Sequence, residues 1–322
     1  MIELNNVCKN YGLTKALVDV SLSIEKGEII SFVGPNGAGK STAMKIITTY
    51  TAPTSGSVKV GDFDVMENPL EVRKMIGYLP ETVPLYYDML VSEYLEFIGE
   101  ARHLNGTFKQ RYDWVVDACG LSTVLNRKIG VLSKGYKQRT CLAQALIHDP
   151  DVLILDEPTS GLDPLQIIGI RNLIKDLAHS KTIILSTHIL PEVSTVADRI
   201  LVINEGELVA DGTFDDLVKK VTDKNSVYLS VKTSKKEFES AIQKIKGIQD
   251  ISYESASPRG IVSCHISYAQ GEDIVKNLNN VIRSAKWDIT AFQQEALSLE
   301  ESFIRLTQSP SGKSIKKEGG AE

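Results

Sequence analysis

The sequence predicts an α/β protein with a core built on a mostly parallel β-sheet and a small α+β domain after it. Three observations support this. Short apolar runs alternate with helical segments around a glycine-rich loop, which is typical of a parallel sheet. Short strands precede that loop, and helical periodicity fills much of about 88–150, which predicts an antiparallel β subdomain and a helical insertion. Beyond residue 220 the order becomes β-α-β-β-α-β, the ferredoxin-like arrangement.

These changes of pattern predict three segments. Residues 1–220 form the core domain, with its helical subdomain at about 88–150, and residues 221–307 form the accessory α+β domain. Residues 308–322 are rich in Ser, Gly, Lys and Glu and are predicted to be a disordered tail.

Composition excludes several classes of protein. The net charge of −5 gives no electrostatic reason to expect nucleic-acid binding. The four cysteines lie far apart, which argues against a zinc site or a disulfide framework. No signal peptide is predicted, and no run approaches the ~18 apolar residues of a membrane span. A role at a membrane would therefore need another chain to supply the membrane-spanning part.

The first elements are strands separated by turns. Glu3–Val7 is the first predicted strand, and Leu17–Ile24 alternates as a half-buried strand. Tyr11 falls at a predicted turn between them. It is either a turn aromatic or a ring on which adenine stacks.

A predicted strand, Ile29–Val33, and a predicted helix from Thr42 to Tyr50 flank the glycine-rich loop. The loop matches G-x-x-x-x-G-K-[ST], the Walker A pattern, over Gly34, Pro35, Asn36, Gly37, Ala38, Gly39, Lys40, Ser41 and Thr42. Its glycines let backbone N–H groups approach phosphates. Lys40 can reach the β- and γ-phosphates, and the Ser41 hydroxyl can ligate Mg²⁺. The sequence therefore predicts a P-loop NTPase core.

The segment after the loop predicts further elements on the way to the helical insertion. Val58–Val60 and Ile76–Leu79 are predicted strands, and residues 67–75 are a predicted helix. Glu81 follows the second of these strands. It is either a solvated loop carboxylate or a switch residue near Mg²⁺. The insertion then begins with a predicted helix from Asp88 to Ala101.

Two polar sites follow buried strands further along. After Val152–Leu155, Asp156 can hold Mg²⁺, while Glu157 can orient or deprotonate an attacking water. His188 follows the strand Thr182–Ser186. Alone it would read as a core or strand-end histidine, but beside the P-loop and the acidic pair it is predicted to contact the γ-phosphate.

The segment Leu132–Tyr136, followed in order by Asp156-Glu157, Asp163 and His188, resembles the nucleotide-binding subunit of an ABC transporter. The resemblance covers roughly residues 1–215. It implies that Tyr11 is the adenine-stacking A-loop residue, that Ser133 and Gly135 belong to the signature motif, and that Asp163 belongs to the D-loop. Asp156, Glu157 and His188 would be the Walker B aspartate, the catalytic glutamate and the H-loop histidine.

Two departures refine the resemblance. Lys134 and Tyr136 replace a Gly and the Gln of the usual L-S-G-G-Q, and Glu81 holds the usual Q-loop glutamine position. Both variants resemble those of ABC-2-type exporter ATPases, and Gly77–Glu81 is especially similar to gliding-motility-associated ATP-binding subunits. Ser298–Phe303 resembles part of their accessory domain.

The resemblance also implies partners. Two subunits, identical or paralogous, would dimerise head to tail, with each ATP between one chain's Walker A loop and the other's signature. The chain would use ATP and Mg²⁺, hydrolyse ATP, and drive an integral membrane permease from the cytoplasmic face of the cell membrane. The alternative is a soluble ABC-type ATPase with a non-transport partner, although no coiled-coil insertion or basic patch favours it. A kinase or GTPase is disfavoured because no phospho-acceptor site or N-K-x-D loop is present.

Overall fold

The computed structural model describes residues 1–82, 84–187, 193, 195–221, 224–243, 245–254, 260–269 and 274–295. The chain divides into a unit that runs from Met1 to Phe214 and a unit that begins at Asp215. His188, the predicted tail at 308–322 and the Ser298–Phe303 segment lie outside the described residues.

The strands, numbered β1 to β14 in chain order, are Ile2–Tyr11, Thr14–Ile24, Ile29–Val33, Ser55–Val60, Phe63–Asp64, Ile76–Leu79, Val152–Asp156, Thr182–Thr187, Arg199–Asn204, Glu207–Gly212, Lys224–Lys232, Ile248–Tyr253, Ile261–Ala269 and Asp288–Glu295. The helices, numbered α1 to α9 in the same way, are Lys40–Ile47, Pro69–Met75, Val91–Ala101, Phe108–Ala118, Lys134–Leu146, Pro164–Ala178, Phe214–Val221, Lys235–Ile242 and Ile274–Ala285. A short 3₁₀ helix covers Ile129–Val131.

A six-stranded sheet forms the centre of the first unit. Its order is β10-β9-β3-β8-β7-β6, parallel throughout except for β10. On β7, Leu153 and Leu155 enter one hydrophobic cluster while Val152 and Ile154 enter another. Because successive side chains point to opposite faces, both faces of this sheet are covered, as a parallel sheet requires. The carboxyl ends of its parallel strands share one edge, where the predicted site residues follow β3 and β7.

A second sheet, of order β2-β1-β4-β5, is the predicted antiparallel subdomain. Its buried Leu4 and Val20 share a cluster with Met44 of α1 and Phe32 of β3. The predicted turn at Tyr11 was wrong in detail. Register shifts let β1 continue in pairing with β2, so Tyr11 is the last residue of that strand.

The helical insertion contains α3, α4 and α5, and its core joins Leu95, Val115 and Leu142 to one face of the large sheet. Helix α3 begins three residues later than the predicted start at Asp88, because the Leu90 N–H donates to Glu93 Oε2 over 2.8 Å and caps the helix there. None of the helices in the described part of the chain has both the length and the apolarity that crossing a bilayer requires.

The second unit contains an antiparallel sheet of order β12-β13-β11-β14. With its helices α8 and α9 between strands, this is the order that the ferredoxin-like prediction requires. The alternating Val227, Leu229 and Val231 of β11 pack with Phe238 of α8 and Leu278 of α9 in a separate core. This periodicity was visible in the sequence, and the fold prediction is confirmed.

His148, between α5 and β7, links the stability of the first unit to pH. Its Nε2 lies 3.0 Å from the Ile76 carbonyl, whereas its Nδ1 is buried without a partner among the described residues. Burial lowers the pKa of His148 to about 4, and the positive charges of Arg102, Lys181 and Arg111 act in the same direction. The unfolded chain binds this proton near pH 6.5. Stability should therefore fall as the pH drops from about 6.5 to about 4.

We expect His148→Gln, which retains a donor for the Ile76 carbonyl, to remove much of this acid sensitivity. Between pH 7 and pH 4.5, the free energy of unfolding should fall by about 2 kcal/mol less in this variant than in the wild type. Urea unfolding at both pH values measures it, and His179→Gln, at an exposed position, is the control. Equal losses in the wild type and in His148→Gln would contradict this assignment.

Candidate functional site

The glycine-rich loop joins the carboxyl end of β3 to helix α1. Gly39 caps the helix with a φ of 112°, a conformation that L side chains rarely adopt. A Cβ on Gly39 would also lie 2.6 Å from the Ala16 carbonyl oxygen, and a Cβ on Gly34 would lie 2.3 Å from that of Ile203. The loop therefore needs glycine at both positions, and it leaves the backbone N–H groups at the start of α1 available to an anion.

Lys40 is the cation of this loop. Its side chain is buried, and Nζ donates to the carbonyl oxygens of Gly34, over 2.7 Å, and Pro35, over 3.1 Å. Burial lowers the pKa of the Lys40 ammonium. The charges of nearby carboxylates oppose that shift, Glu157 most and then Asp156. The ammonium is thus held at the loop by two carbonyls that a phosphate could replace as its partners.

The acidic pair ends β7 beside the start of α1. Asp156 is almost fully buried, and its Oδ1 accepts hydrogen bonds from Ser41 Oγ at 3.1 Å and from Ser186 Oγ at 2.6 Å. Glu157 has a φ of 52°, so the backbone turns sharply at this residue. The Glu157 N–H donates to Ser186 Oγ over 2.9 Å. One serine hydroxyl therefore fixes both members of the pair.

Sequence reasoning missed Ser186 as a site residue. Ser186 follows a run of apolar residues, so the pattern predicts only that it is part of a buried strand. Its role follows from the sheet order, which pairs β8 with β7 so that Ser186 lies opposite Asp156. The available signal was a buried hydroxyl near the end of a parallel strand, where ligands commonly bind in α/β proteins.

A cavity of about 490 Å³ brings eight of the predicted site residues together. It is lined by Asn36, Gly37, Gly39, Lys40, Ser41, Thr42, Glu81, Glu157 and Ser160. This lining does not include Tyr11, which is 49% exposed with Lys9 Nζ 4.9 Å from its ring centroid. A larger groove of about 980 Å³ shares Ser41 and Glu81 with the cavity. Glu81 therefore lies where the two spaces meet.

The signature and D-loop residues lie at helix N-termini instead. Ser133 caps α5, its Oγ accepting from the Tyr136 N–H at 3.4 Å, and Asp163 caps α6, its carboxylate accepting from the Gln166 N–H at 3.0 Å. A Cβ on Gly135 would meet the side-chain amide of Gln166, so a larger residue there would have to displace the end of that side chain. Ser133, Gly135 and Asp163 are not among the residues that line the cavity of their own chain.

Two residues beside the cavity, Ser41 and Asp156, offer the oxygen ligands that Mg²⁺ prefers. Among the described residues, no group of three or more His, Cys, Asp or Glu could hold a metal alone. Mg²⁺, however, is usually held by one or two carboxylates together with substrate phosphates and water. The hydroxyl of Ser41 and the carboxylate of Asp156 are hard oxygen donors in contact with each other, beside the cavity that the phosphates would enter.

Comparisons with known proteins agree with this geometry. The protein-family model described as "ABC transporter" matches residues 17–160. The linearmycin resistance ATP-binding protein LnrL of Bacillus subtilis (strain 168) is 31% identical over 309 residues, which cover 95% of this chain and 98% of LnrL. The bacitracin transport ATP-binding protein BcrA of Bacillus licheniformis is 31% identical over 308 residues, covering 95% and 97%. The chain belongs to the ABC transporter ATP-binding subunits.

Structural similarity extends to an ABC cassette seen with hydrolysis products. A dimeric post-hydrolysis state of the ATP-binding cassette MJ0796, bound to ADP and Pi, matches with a TM-score of 0.60 and 28% identity. The match covers 66% of this chain and 98% of that one. This chain is therefore an ABC-type ATPase. That neighbour is dimeric, and another solved neighbour, cbiO1 from Clostridium perfringens, is described as part of the ABC transporter complex cbiONQ.

We expect the Ser186 hydroxyl to contribute both to the stability and to the ATP turnover of this ABC subunit. Ser186→Ala would leave the buried Glu157 N–H without its acceptor and remove a donor from Asp156. We expect the free energy of unfolding to fall by about 1–3 kcal/mol and ATP turnover to fall by about tenfold, because the acidic pair is no longer fixed.

Ser31→Ala on the neighbouring β3 is the matched control. The Ser31 hydroxyl is buried and has no partner within the described part of the chain, so its removal should not lower stability and should leave turnover nearly unchanged. Denaturant unfolding and steady-state phosphate release compare the two variants. Equal behaviour of the two would show that Ser186 does not fix the acidic pair.

Proposed function

We propose that the chain powers an ABC-2-type exporter, binding and hydrolysing ATP at the cavity beside α1. The observation that carries the proposal is the convergence of Lys40, Ser41 and Glu157 on that one cavity, with Asp156 bonded to Ser41 at its side. A cation, oxygen ligands for Mg²⁺ and a carboxylate next to the γ-phosphate position are the parts that phosphoryl transfer to water needs.

Each residue takes one role in the proposed reaction. The loop N–H groups and Lys40 bind the phosphates, exchanging the bonds of Lys40 to Gly34 and Pro35 for bonds to phosphate oxygens. Ser41 and Asp156 would hold Mg²⁺, which neutralises charge on the β- and γ-phosphates when bound. Glu157 orients or deprotonates the attacking water.

Five further predicted residues also have proposed roles. His188 is proposed to contact the γ-phosphate and Tyr11 to stack on adenine. Ser133 and Gly135 would bind the γ-phosphate held by the other chain of a head-to-tail dimer, and Asp163 would lie in the D-loop at the same interface. Two observations support the dimer: the signature residues do not line the cavity of their own chain, and they begin α5, where an anion is favoured.

The groove of about 980 Å³ is the proposed permease contact. It combines Arg102 and His103, at the end of α3, with Arg73 and Lys74 of α2. These cationic or basic side chains favour an acidic docking segment. The groove also shares Glu81 with the nucleotide cavity. A segment docked there would therefore respond to ATP binding and hydrolysis through that loop.

The direction of transport and the cellular location of the chain are also proposed. LnrL is named for linearmycin resistance and BcrA for bacitracin transport, and both match this chain along almost its whole length. We therefore propose export, and we do not extend the resemblance of Gly77–Glu81 to a role in gliding motility. The chain would lie on the cytoplasmic face of the cell membrane, bound to its permease.

A pull-down from detergent-solubilised membranes of the host tests the proposal. The wild-type chain should recover one stoichiometric polytopic membrane protein. Lys74→Glu, which reverses an exposed charge of the groove, should reduce that recovery about tenfold. Lys59→Glu, an exposed position on β4, is the matched control. Recovery of the chain from the soluble fraction alone, without a membrane partner, would instead support the soluble ATPase.

A further inference from the structure

Lys134, where the usual signature has glycine, lies against the D-loop of its own chain. A Cβ built on Gly161 would lie 2.1 Å from Lys134 Nζ, 3.0 Å from Cε and 3.3 Å from Cδ. Gly161 also has a φ of 70°, so no ordinary side chain fits this position without strain. The ammonium and the end of its stem therefore rest directly on the backbone of the turn at Gly161.

That turn leads back to the hydrolysis site. The Ser160 N–H donates to the Glu157 carbonyl over 3.1 Å, and the Leu162 N–H donates to the Thr159 carbonyl over 3.2 Å. Glu157 and Ser160 both line the nucleotide cavity. A short hydrogen-bonded segment thus connects the backbone beneath Lys134 to the backbone of Glu157, whose carboxylate has the proposed role of activating the attacking water.

Lys134, at the other end of the segment that connects Glu157 to Gly161, lies at the surface. Lys134 is exposed, and its neighbours Ser133 and Gly135 begin α5. Under the proposed function, on which this inference rests, those two neighbours meet the γ-phosphate bound by the other chain. We propose that Lys134 couples the two nucleotide sites of the dimer. Its ammonium rests on Gly161 when the facing site is empty and binds the γ-phosphate when that site is filled.

The physical basis is the difference between glycine and lysine at this position. A glycine offers the phosphate only its backbone N–H, whereas Lys134 adds a mobile positive charge on a flexible stem. A charge-assisted bond to phosphate strengthens the closed dimer. Moving the ammonium away from Gly161 also removes a contact from the turn that positions Glu157. ATP in one site therefore changes the geometry of the other, which is a coupling between sites.

Dimerisation in a hydrolysis-deficient background is the direct test. In Glu157→Gln chains, ATP should produce a dimer on gel filtration. Adding Lys134→Met should raise the ATP concentration for half-dimerisation about tenfold, while Lys134→Arg should restore it to within about threefold. Lys137→Met, on the same helix with its Nζ 5.1 Å from the Tyr87 ring centroid, is the matched control and should have no effect. With ADP, which has no γ-phosphate, all variants should behave alike.

Cooperativity is the second readout, because a purely structural role would not change it. With Glu157 intact, the Hill coefficient for ATP hydrolysis should lie between 1 and 2 in the wild type and fall towards 1 in Lys134→Met. If Glu157→Gln dimerises and Lys134→Met matches Lys137→Met in both readouts, the coupling role is overturned and the proposed function stands. If Glu157→Gln stays monomeric with ATP, the dimer proposal fails, and this inference fails with it.

Discussion

Replacing Glu157 by Gln is expected to reduce ATP turnover by about 10²- to 10⁴-fold while ATP binding is kept. The amide has nearly the same shape as the carboxylate but cannot accept the proton of the attacking water. The Glu157 backbone N–H would still donate to Ser186, so the turn after β7 should keep its geometry. Because hydrolysis no longer releases the phosphate, the ATP-bound dimer should accumulate.

Phosphate release and gel filtration with ATP measure the two parts of this expectation. Glu205→Gln is a suitable control because Glu205 is exposed and has a left-handed φ of 48°, close to that of Glu157. The control should hydrolyse ATP at the wild-type rate. A Glu157→Gln chain that turned over normally would remove Glu157 from the proposed reaction, and another group would have to activate the water.

The local elements of the nucleotide site could be predicted from the sequence because each is set by neighbouring residues. Ile29–Val33 and Ile76–Leu79 are short apolar runs bounded by turn residues, and both strands have the predicted bounds. The loop that begins at Gly34 was visible because its backbone geometry requires glycine at fixed spacings. The β-α-β-β-α-β order of the second unit was visible for a similar reason, since each strand alternates and each helix has its own periodicity.

Contacts between distant segments were not predictable in the same way. The role of Ser186 depends on β8 lying next to β7, and no local pattern fixes that neighbour. The contact of Lys134 with Gly161 needs two turns from different parts of the chain to meet. The sequence thus predicted the local elements around the site better than the contacts between distant segments that hold them in place.

Replacing Lys40 by Ala is expected to weaken ATP binding by about 100-fold or more. Lys40 is the cation of the cavity lining, and each charge-assisted bond to a phosphate contributes about 1.5–3 kcal/mol. The cost in the unbound protein should be smaller. The lost bonds to the Gly34 and Pro35 carbonyls are partly offset, because a buried charge no longer has to be desolvated.

Titration calorimetry with ATP on the isolated chain measures the affinity, and thermal unfolding without nucleotide confirms that the variant folds. Lys45→Ala is the matched control, since Lys45 lies on the same helix but lines the groove rather than the nucleotide cavity. It should bind ATP as the wild type does. A folded Lys40→Ala chain with wild-type affinity would mean that ATP is held elsewhere. The assignment of the cavity beside α1 would then have to be abandoned, because no other group in its lining can supply the positive charge that Lys40 brings to the phosphates.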